Sequence, residues 1–193
     1  MSATAAIVTT ANAVIPASNW DIDTAHTSTQ FKVRHLMVSH VRGQLGAVTG
    51  TLQLDEQDLS RSRVDVRIDL RQLDTRDGKR DEHLRSADFF DVARYPEVAF
   101  RSTAVREGRD GGLLVTGDLT VRDVTRPITL EVDPLSPAVS DPWGNVKRGA
   151  TARASLNRKD FGLLWNVALE TGGVLVGEKV DIEIEVELVR SRA

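Results

Sequence analysis

The sequence predicts an all-β protein, and three observations lead to that prediction. Apolar and polar residues alternate over many short segments, turn residues separate these segments, and strands do not alternate with long helices. The segment 63–71, RVDVRIDLR, and the segment 180–188, VDIEIEVEL, show the alternation most clearly. Short strands at regular spacing favour an antiparallel sandwich or barrel and disfavour a parallel sheet.

The remaining strands are predicted from the same alternation. They are expected at about 20–35, 44–54, 97–106, 112–121, 127–133, 148–158 and 163–169. Turn residues at 107–112, 122–127 and 171–178 suit antiparallel connections. The proline-rich stretch 133–145 is predicted to be a loop. The charged residues between the apolar ones are expected on solvated outer faces.

One stretch, residues 75–96, interrupts the alternation. Asp77 is predicted to cap a short helix, which gives a helical excursion near 77–92. Phe89 and Phe90 follow this helix. Because two adjacent residues of a strand point to opposite faces, the pair is predicted to wedge into an opening instead. The excursion is therefore expected to be a lid or plug at one end of a barrel.

Length and composition set the organisation of the chain. The 193 residues are predicted to form one domain at 19–190, after a flexible N-terminal leader at 1–18. The net charge of -3 provides no basic field, which disfavours nucleic acid or an anionic membrane as a general partner. No apolar run has the length of a spanning helix, so stable membrane insertion is not expected.

The N-terminal residues bear on location. The first basic residue is Lys32, and threonines soon break the apolar run at 5–8. A secretory signal needs a basic start and an unbroken apolar segment. A cytoplasmic location is therefore predicted.

Few residues have the spacing that chemistry requires. The chain has no cysteine, and its histidines, His26, His35, His40 and His83, lack metal-binding spacing. The sequence contains no nucleophile elbow, phosphate loop or dinucleotide fingerprint. No catalytic residue, metal or cofactor is predicted. A closed sheet of about eight strands instead has a lumen that is filled or open for a ligand. Ala150, Ala152 and Ala154 on one face favour a cavity.

Several segments carry a resemblance to a known family. They are HTSTQFKVRHL at 26–36, TRDGKRDEHLRSADFFDVARYPEVAF at 75–100, GDLTVRDVTRPITL at 117–130, NRKDFGLLWN at 157–166 and GEKVDIEIEVEL at 177–188. In this order they resemble the YceI-like family from about Trp20 to Leu188. Asp123 departs from the pattern, since the family usually has glycine there. Aspartate tolerates the left-handed turn conformation, so the hairpin is expected to form.

The resemblance implies a fold, a ligand and a location. The expected fold is an extended antiparallel β-barrel, similar to lipocalins, with a helical excursion at one end. The expected ligand is a polyisoprenoid or other long-chain lipid, carried or stored in the lumen without catalysis. Many members are exported to the periplasm, which makes a periplasmic or secreted location the alternative.

His35 raises a separate question, because it shares the apolar face of its strand with Phe31 and Val33. It is either a core histidine or a polar position in the lumen that contacts a lipid headgroup. A third interpretation makes it the acid/base of an enzyme acting on an apolar substrate as an isomerase, cyclase or dehydratase.

These arguments give a set of candidate ligand-binding residues: Phe31, Val33, His35, Arg80, Asp81, Phe89, Phe90, Phe100, Phe161 and Trp165. The alternative for Arg80 and Asp81 is a mutual ion pair that holds the excursion to the barrel rim. The alternative for the aromatic residues is core packing. Edge strands or the loop 133–145 could also support a homodimer.

Overall fold

The computed structural model describes residues 17–170 and 172–192. One helix, α1, spans Gly78–Arg85. The strands are β1 (Ser18–Ile22), β2 (Ser28–His35), β3 (Ser39–Gln44), β4 (Ala47–Leu54), β5 (Arg63–Asp69), β6 (Glu97–Glu107), β7 (Leu113–Val121), β8 (Val124–Val132), β9 (Val139–Ser140), β10 (Val146–Asn157) and β11 (Val176–Arg190). The leader expected at 1–18 lies outside the described residues up to residue 16, and β1 begins at Ser18.

Eight strands close into an antiparallel barrel, one of the two architectures that the alternation favours and the one that the family resemblance implies. Their order around the barrel is β11, β1, β4, β5, β6, β7, β8, β10 and back to β11. Strand β11 is 15 residues long and pairs along one edge with β10. On its other edge it pairs first with β2 and then with β1. The β2–β3 hairpin therefore extends the wall beyond the end of β1.

The two ends of the barrel are built differently. We call the end with the β4–β5 connection and the last residues of β11 the lower end, and the opposite end the upper end. At the lower end, Trp20, Leu54 and Leu188 form a small buried cluster. At the upper end lie the tip of the β2–β3 hairpin, the excursion between β5 and β6, and a 3₁₀ turn at Arg158–Phe161. Within the described residues, no helix has the length and apolar character needed to cross a bilayer.

The excursion has the predicted helix and is fixed to β3. The Asp77 side chain caps α1 by accepting a hydrogen bond from the Arg80 backbone N–H at 3.2 Å. Before the helix, Asp74 pairs with Gln44 through two backbone hydrogen bonds. A Cβ at Gly43 would lie 2.6 Å from Thr75 Cγ2, so glycine allows this close approach.

The strand expected at 163–169 does not form, and the strand expected at 20–35 is two strands separated by a turn. Residues 163–169 follow Gly162, which ends the 3₁₀ turn with a φ of 74°. The Asn166 side chain then donates to the Val176 carbonyl at 2.7 Å and accepts from the Val176 N–H at 3.0 Å. These side-chain bonds take the place of backbone pairing at Asn166, and the pairing beyond it is a single bridge between Ala168 and Val174.

The β7–β8 hairpin forms, but a different residue takes the left-handed conformation. Val121 and Val124 are paired across a two-residue turn. Arg122 has a φ of 57°, whereas Asp123 does not have a positive φ. The Arg122 guanidinium also donates to the Phe89 carbonyl at 3.1 Å. The expectation that Asp123 would be left-handed is therefore wrong.

Candidate ligand-binding cavity

A cavity of about 170 Å³ lies within the barrel. Of the 23 described residues that line it, 22 are apolar and one is an arginine. The lining consists of Phe31, Val33, Leu45, Val64, Val66, Ile68, Leu84, Phe89, Phe90, Val98, Phe100, Leu119, Val121, Ile128, Leu130, Leu156, Arg158, Phe161, Leu163, Val176, Val180, Ile182 and Ile184. Such a surface favours an apolar ligand over water.

Strand alternation explains why so many apolar side chains meet there. Val64, Val66 and Ile68 line the cavity from β5, and Val180, Ile182 and Ile184 line it from β11. Successive strand residues point to opposite faces, so the polar residues between them lie on the other side of the wall. The two segments with the clearest sequence alternation thus supply six of the lining residues.

Six of the ten candidate residues line the cavity. They are Phe31, Val33, Phe89, Phe90, Phe100 and Phe161. The small residues Ala150, Ala152 and Ala154, which favoured a cavity in the sequence, are not part of the lining. The cavity is instead bounded by larger side chains of the strands, the excursion and the 3₁₀ turn.

Phe89 and Phe90 act as the wedge that the sequence predicts. Both line the cavity from the turn that follows α1. Phe89 is buried, and its ring centroid lies 5.1 Å from that of His83. Trp165 is half-buried and outside the lining, but its ring contacts both, at 4.6 Å from His83 and 5.4 Å from Phe89. We call His83, Phe89 and Trp165 the lid cluster.

Arg80 and Asp81 contact Thr75 and do not line the cavity. The Thr75 hydroxyl and backbone N–H donate to Asp81 Oδ1 at 2.5 and 2.8 Å. Arg80 Nε donates to Thr75 Oγ1 at 2.7 Å, and its Nη2 donates to the Thr75 carbonyl at 2.8 Å. The ion pair that Arg80 makes is with Asp77, at 3.9 Å. The expected mutual pair is therefore replaced by shared bonding to a buried threonine.

His35 lies at the end of β2, half-buried and outside the cavity lining. It pairs with Val176 on one side and Ser39 on the other, at the base of the hairpin tip. His35 belongs to the same alternating set of β2 as Phe31 and Val33, but its cross-strand partner Val176 lines the cavity and His35 does not.

Arg158 is the charged residue that does line the cavity. It is 3% exposed, and burial lowers the pKa of its guanidinium. Its Nε donates to the Gly177 carbonyl at 2.9 Å, and its two terminal nitrogens donate to the carbonyls of Leu163 and Val176. Inward alternation along β10 through Leu156 points to this residue, although it is not among the ten candidate ligand-binding residues.

A group of possible metal ligands, Asp23, His26 and Glu187, lies elsewhere on the barrel. Lys147 Nζ is 3.0 Å from Asp23 and 2.6 Å from Glu187, so an ammonium group already fills the place of a cation. Hydrogen bonds from Lys147 and then His26 lower the pKa of Asp23 to about 2. The group is best described as an ion-pair network.

A family profile, that of the YceI-like domain, matches residues 20–188, the stretch that forms the barrel and its apolar lumen. The chain belongs to the YceI-like family. It is 36% identical to protein YceI of Escherichia coli over 172 residues, which cover 89% of this chain and 86% of that one. It is also 41% identical to a UPF0312 protein of Vibrio parahaemolyticus over 147 residues, 75% of this chain and 77% of that one.

Solved structures share the YceI-like fold. Burkholderia cenocepacia BcnA has a TM-score of 0.72 at 19% identity, with 86% of this chain and 99% of that chain covered. A polyisoprenoid binding domain from Saccharophagus degradans, implicated in plant cell wall breakdown, has a TM-score of 0.65 at 14% identity. That comparison covers 89% of this chain and 98% of that chain. At these identities the likeness concerns the fold.

Proposed function

We propose that this YceI-like chain binds a long hydrophobic chain, a polyisoprenoid or similar lipid, within the barrel for carriage or storage. The observation that carries the proposal is the cavity, in which 22 of 23 lining residues are apolar. The Saccharophagus degradans domain of the same fold is described as polyisoprenoid binding, which supports this class of ligand.

Burial of the ligand's own surface supplies enough free energy for useful binding. Each CH₂ group removed from water contributes about 0.8 kcal/mol, so a chain of about twenty carbons gains on the order of 16 kcal/mol. Loss of the ligand's freedom offsets about 4–15 kcal/mol of this gain. An apolar wall can therefore hold the tail, and polar contacts mainly set its orientation.

The size of the cavity means that a long ligand can enter only if some lining side chains move. A volume of about 170 Å³ is close to the ~150 Å³ that accommodates a benzene-sized ligand. A long chain must therefore displace lining side chains. Phe89 and Phe90 are the candidates, because they lie on a turn and not in the hydrogen-bonded wall. We propose that the lid cluster opens when the ligand enters.

Arg158 is the residue that would orient a polar headgroup. A guanidinium carries five N–H donors, and three backbone carbonyls accept from this one. Arg158 lines an otherwise apolar cavity, and two of its N–H groups are left over from these three bonds. A phosphate, carboxylate or hydroxyl group at the end of an apolar chain would accept from them.

The same geometry favours a binding protein over an enzyme. The enzyme alternative requires His35 to reach a substrate in the lumen, since a general acid or base must lie within hydrogen-bond reach of the reacting group. His35 is outside the cavity lining, beyond Val33 on the same strand. We therefore propose binding without turnover.

Native mass spectrometry of freshly purified protein, with solvent extraction of any bound lipid, tests the proposal. We expect either a discrete added mass of a prenyl or long acyl chain, or stoichiometric uptake of an added prenyl alcohol. Val180→Trp should reduce uptake because Val180 lines the cavity. Lys179→Trp is the matched control, since Lys179 is the neighbouring exposed residue of β11.

Two results would contradict the proposal. One is a clean unliganded mass together with no uptake of prenyl or acyl chains by the folded protein. The other is equal loss of uptake in Val180→Trp and Lys179→Trp, which would place binding outside the lumen.

A further inference from the structure

The loop between β2 and β3 presents an apolar tip at the upper end of the barrel. Leu36, Met37 and Val38 are 39%, 49% and 79% exposed. Leu164 and Val167, in the segment after the 3₁₀ turn, are also exposed. Clustered apolar residues on a surface mark a site of interaction with a protein or a membrane.

Hydrogen bonds join this tip to the neighbouring segment. The Leu36 N–H donates to the Leu175 carbonyl at 2.8 Å, and the Leu175 N–H donates to the Val167 carbonyl at 2.9 Å. A Cβ at Gly173 would be 3.4 Å from Met37 Cγ. The exposed apolar side chains therefore belong to one continuous part of the rim, which we call the apolar rim: Leu36, Met37, Val38 and Val167.

The backbone of the tip is held in an unfavourable conformation. Leu36 has a φ of 51° and Met37 a φ of 62°. Glycine, asparagine and aspartate adopt this left-handed region readily, whereas large apolar residues do so at a cost. A tight hairpin loop would be more stable with glycine, asparagine or aspartate at these two positions. Local strain of this kind is typical of functional sites, which points to a role for the apolar side chains themselves.

A cationic surface flanks the tip on the outer side of the hairpin. Lys32 is paired across the strands with Arg42, and Arg34 with His40. Like charges directly opposite each other destabilise a hairpin. Asp181 compensates one of them, since its carboxylate lies 3.5 Å from Lys32.

Desolvation and then the neighbouring cations lower the pKa of His40, so the charge near neutral pH resides mainly on Lys32, Arg34 and Arg42. Arg34 and Arg42 are both exposed. The hairpin thus has an apolar tip, and the strands next to the tip carry the positive charges of Lys32, Arg34 and Arg42.

We propose that the upper end of the barrel docks reversibly on an anionic lipid bilayer, with the apolar rim entering the headgroup region and Arg34 and Arg42 facing lipid phosphates. This inference rests on the proposed function. Apolar side chains next to basic ones match the boundary between acyl chains and anionic headgroups. Docking in this orientation places Phe89 and Phe90 near the surface from which a lipid would enter the lumen.

Vesicle flotation of the full chain tests the docking. We compare phosphatidylcholine vesicles with vesicles that also contain phosphatidylglycerol. The bound fraction should be about tenfold higher on the anionic vesicles and should fall as salt screens the charges. Val38→Asp and Arg42→Glu should each lower binding to anionic vesicles about fivefold or more.

Val139→Asp is the matched control, because Val139 is 60% exposed on β9, which pairs with the lower-end half of β10. Its binding should equal that of the unsubstituted chain. Equal binding to both kinds of vesicle, no binding to either, or equal losses in Val38→Asp and Val139→Asp would overturn the docking.

Prenyl alcohol uptake in the absence of vesicles separates this proposal from the function it rests on. Val38→Asp should retain uptake while it loses vesicle binding, because Val38 is outside the cavity lining. Vesicle binding without uptake in any variant would support docking and contradict the proposed ligand. Uptake without vesicle binding would support the proposed ligand and contradict docking.

Discussion

The rings of Trp165 and Phe89 pack against each other, with centroids 5.4 Å apart. Trp165 follows the 3₁₀ turn after β10, whereas Phe89 belongs to the excursion after β5. The contact therefore joins two segments from different parts of the chain over one end of the cavity. It connects the excursion, which the sequence predicts as a lid, to a residue that the sequence placed among the ligand contacts.

Phe89→Ala removes the centre of the lid cluster. We expect the free energy of unfolding to fall by about 3 kcal/mol, since Phe89 is buried and leaves a cavity. Urea unfolding measures this change. Trp143→Ala is the control, because Trp143 is exposed. Equal stability of Phe89→Ala and the unsubstituted chain would show that the lid cluster does not stabilise the fold.

Thr75→Val tests the bonding that fixes the excursion. The substitution preserves shape but removes the hydroxyl that donates to Asp81 and accepts from Arg80. The buried Asp81 carboxylate and the half-buried Arg80 guanidinium each lose a partner. We therefore expect a loss of about 2 kcal/mol in the free energy of unfolding. Thr125→Val, whose hydroxyl is exposed and bonds to Thr120, should change stability by about 0.5 kcal/mol or less. Similar losses in the two variants would contradict a special role for Thr75.

Asp23→Asn tests the ion-pair network through its pH dependence. The pKa of Asp23 is lowered from 3.8 to about 2, chiefly by the hydrogen bond from Lys147. A lowered folded pKa means that the carboxylate stabilises the fold above about pH 4 and loses this effect as pH falls toward 2.

Urea unfolding at a series of pH values measures the effect. The unsubstituted chain should be more stable than Asp23→Asn near neutral pH, and the difference should shrink between pH 4 and 2. Asp123→Asn, in the exposed β7–β8 turn, should follow the curve of the unsubstituted chain. A constant difference between Asp23→Asn and the unsubstituted chain across this window would contradict the network's role.

Arg158→Met tests the proposed headgroup contact. Methionine keeps an apolar stem but leaves the carbonyls of Leu163, Val176 and Gly177 without this donor, so stability should fall by about 2 kcal/mol or more. Among proteins that remain folded, affinity for a prenyl phosphate should fall about tenfold more than affinity for the matching prenyl hydrocarbon. Isothermal titration with both ligands measures the difference. Equal losses would show that Arg158 acts only on the fold.

The contrast between His35 and Arg158 shows how far the sequence determines the site. Alternation correctly assigns the inward face of a strand, so Phe31 and Val33 were found to line the cavity as expected. It does not give the local register between strands. His35 lies outside the lining although its partner Val176 is part of it, next to a register shift in β11 between Val176 and Val180, whereas Arg158 does line the cavity. Register and strand tilt arise only when the barrel closes.

The local distribution of charge likewise depends on tertiary structure. The net charge of -3 disfavoured a general anionic partner, yet pairing of β2 with β3 brings Lys32 opposite Arg42 and Arg34 opposite His40. Composition averages over the whole surface, whereas a local field depends on which residues the sheet makes neighbours.

The sequence by itself determined the antiparallel strands, the capped helix at Asp77 and the wedge of Phe89 and Phe90, because each depends on local periodicity or on one cap. Tertiary structure decided which side chains meet. Thr75 joins Arg80 to Asp81, Trp165 reaches Phe89, and Asn166 bonds to Val176 in place of an expected strand. Each of these contacts joins parts of the chain whose distance in space is set by closure of the barrel or by the path of the excursion, and residue order alone does not specify that distance.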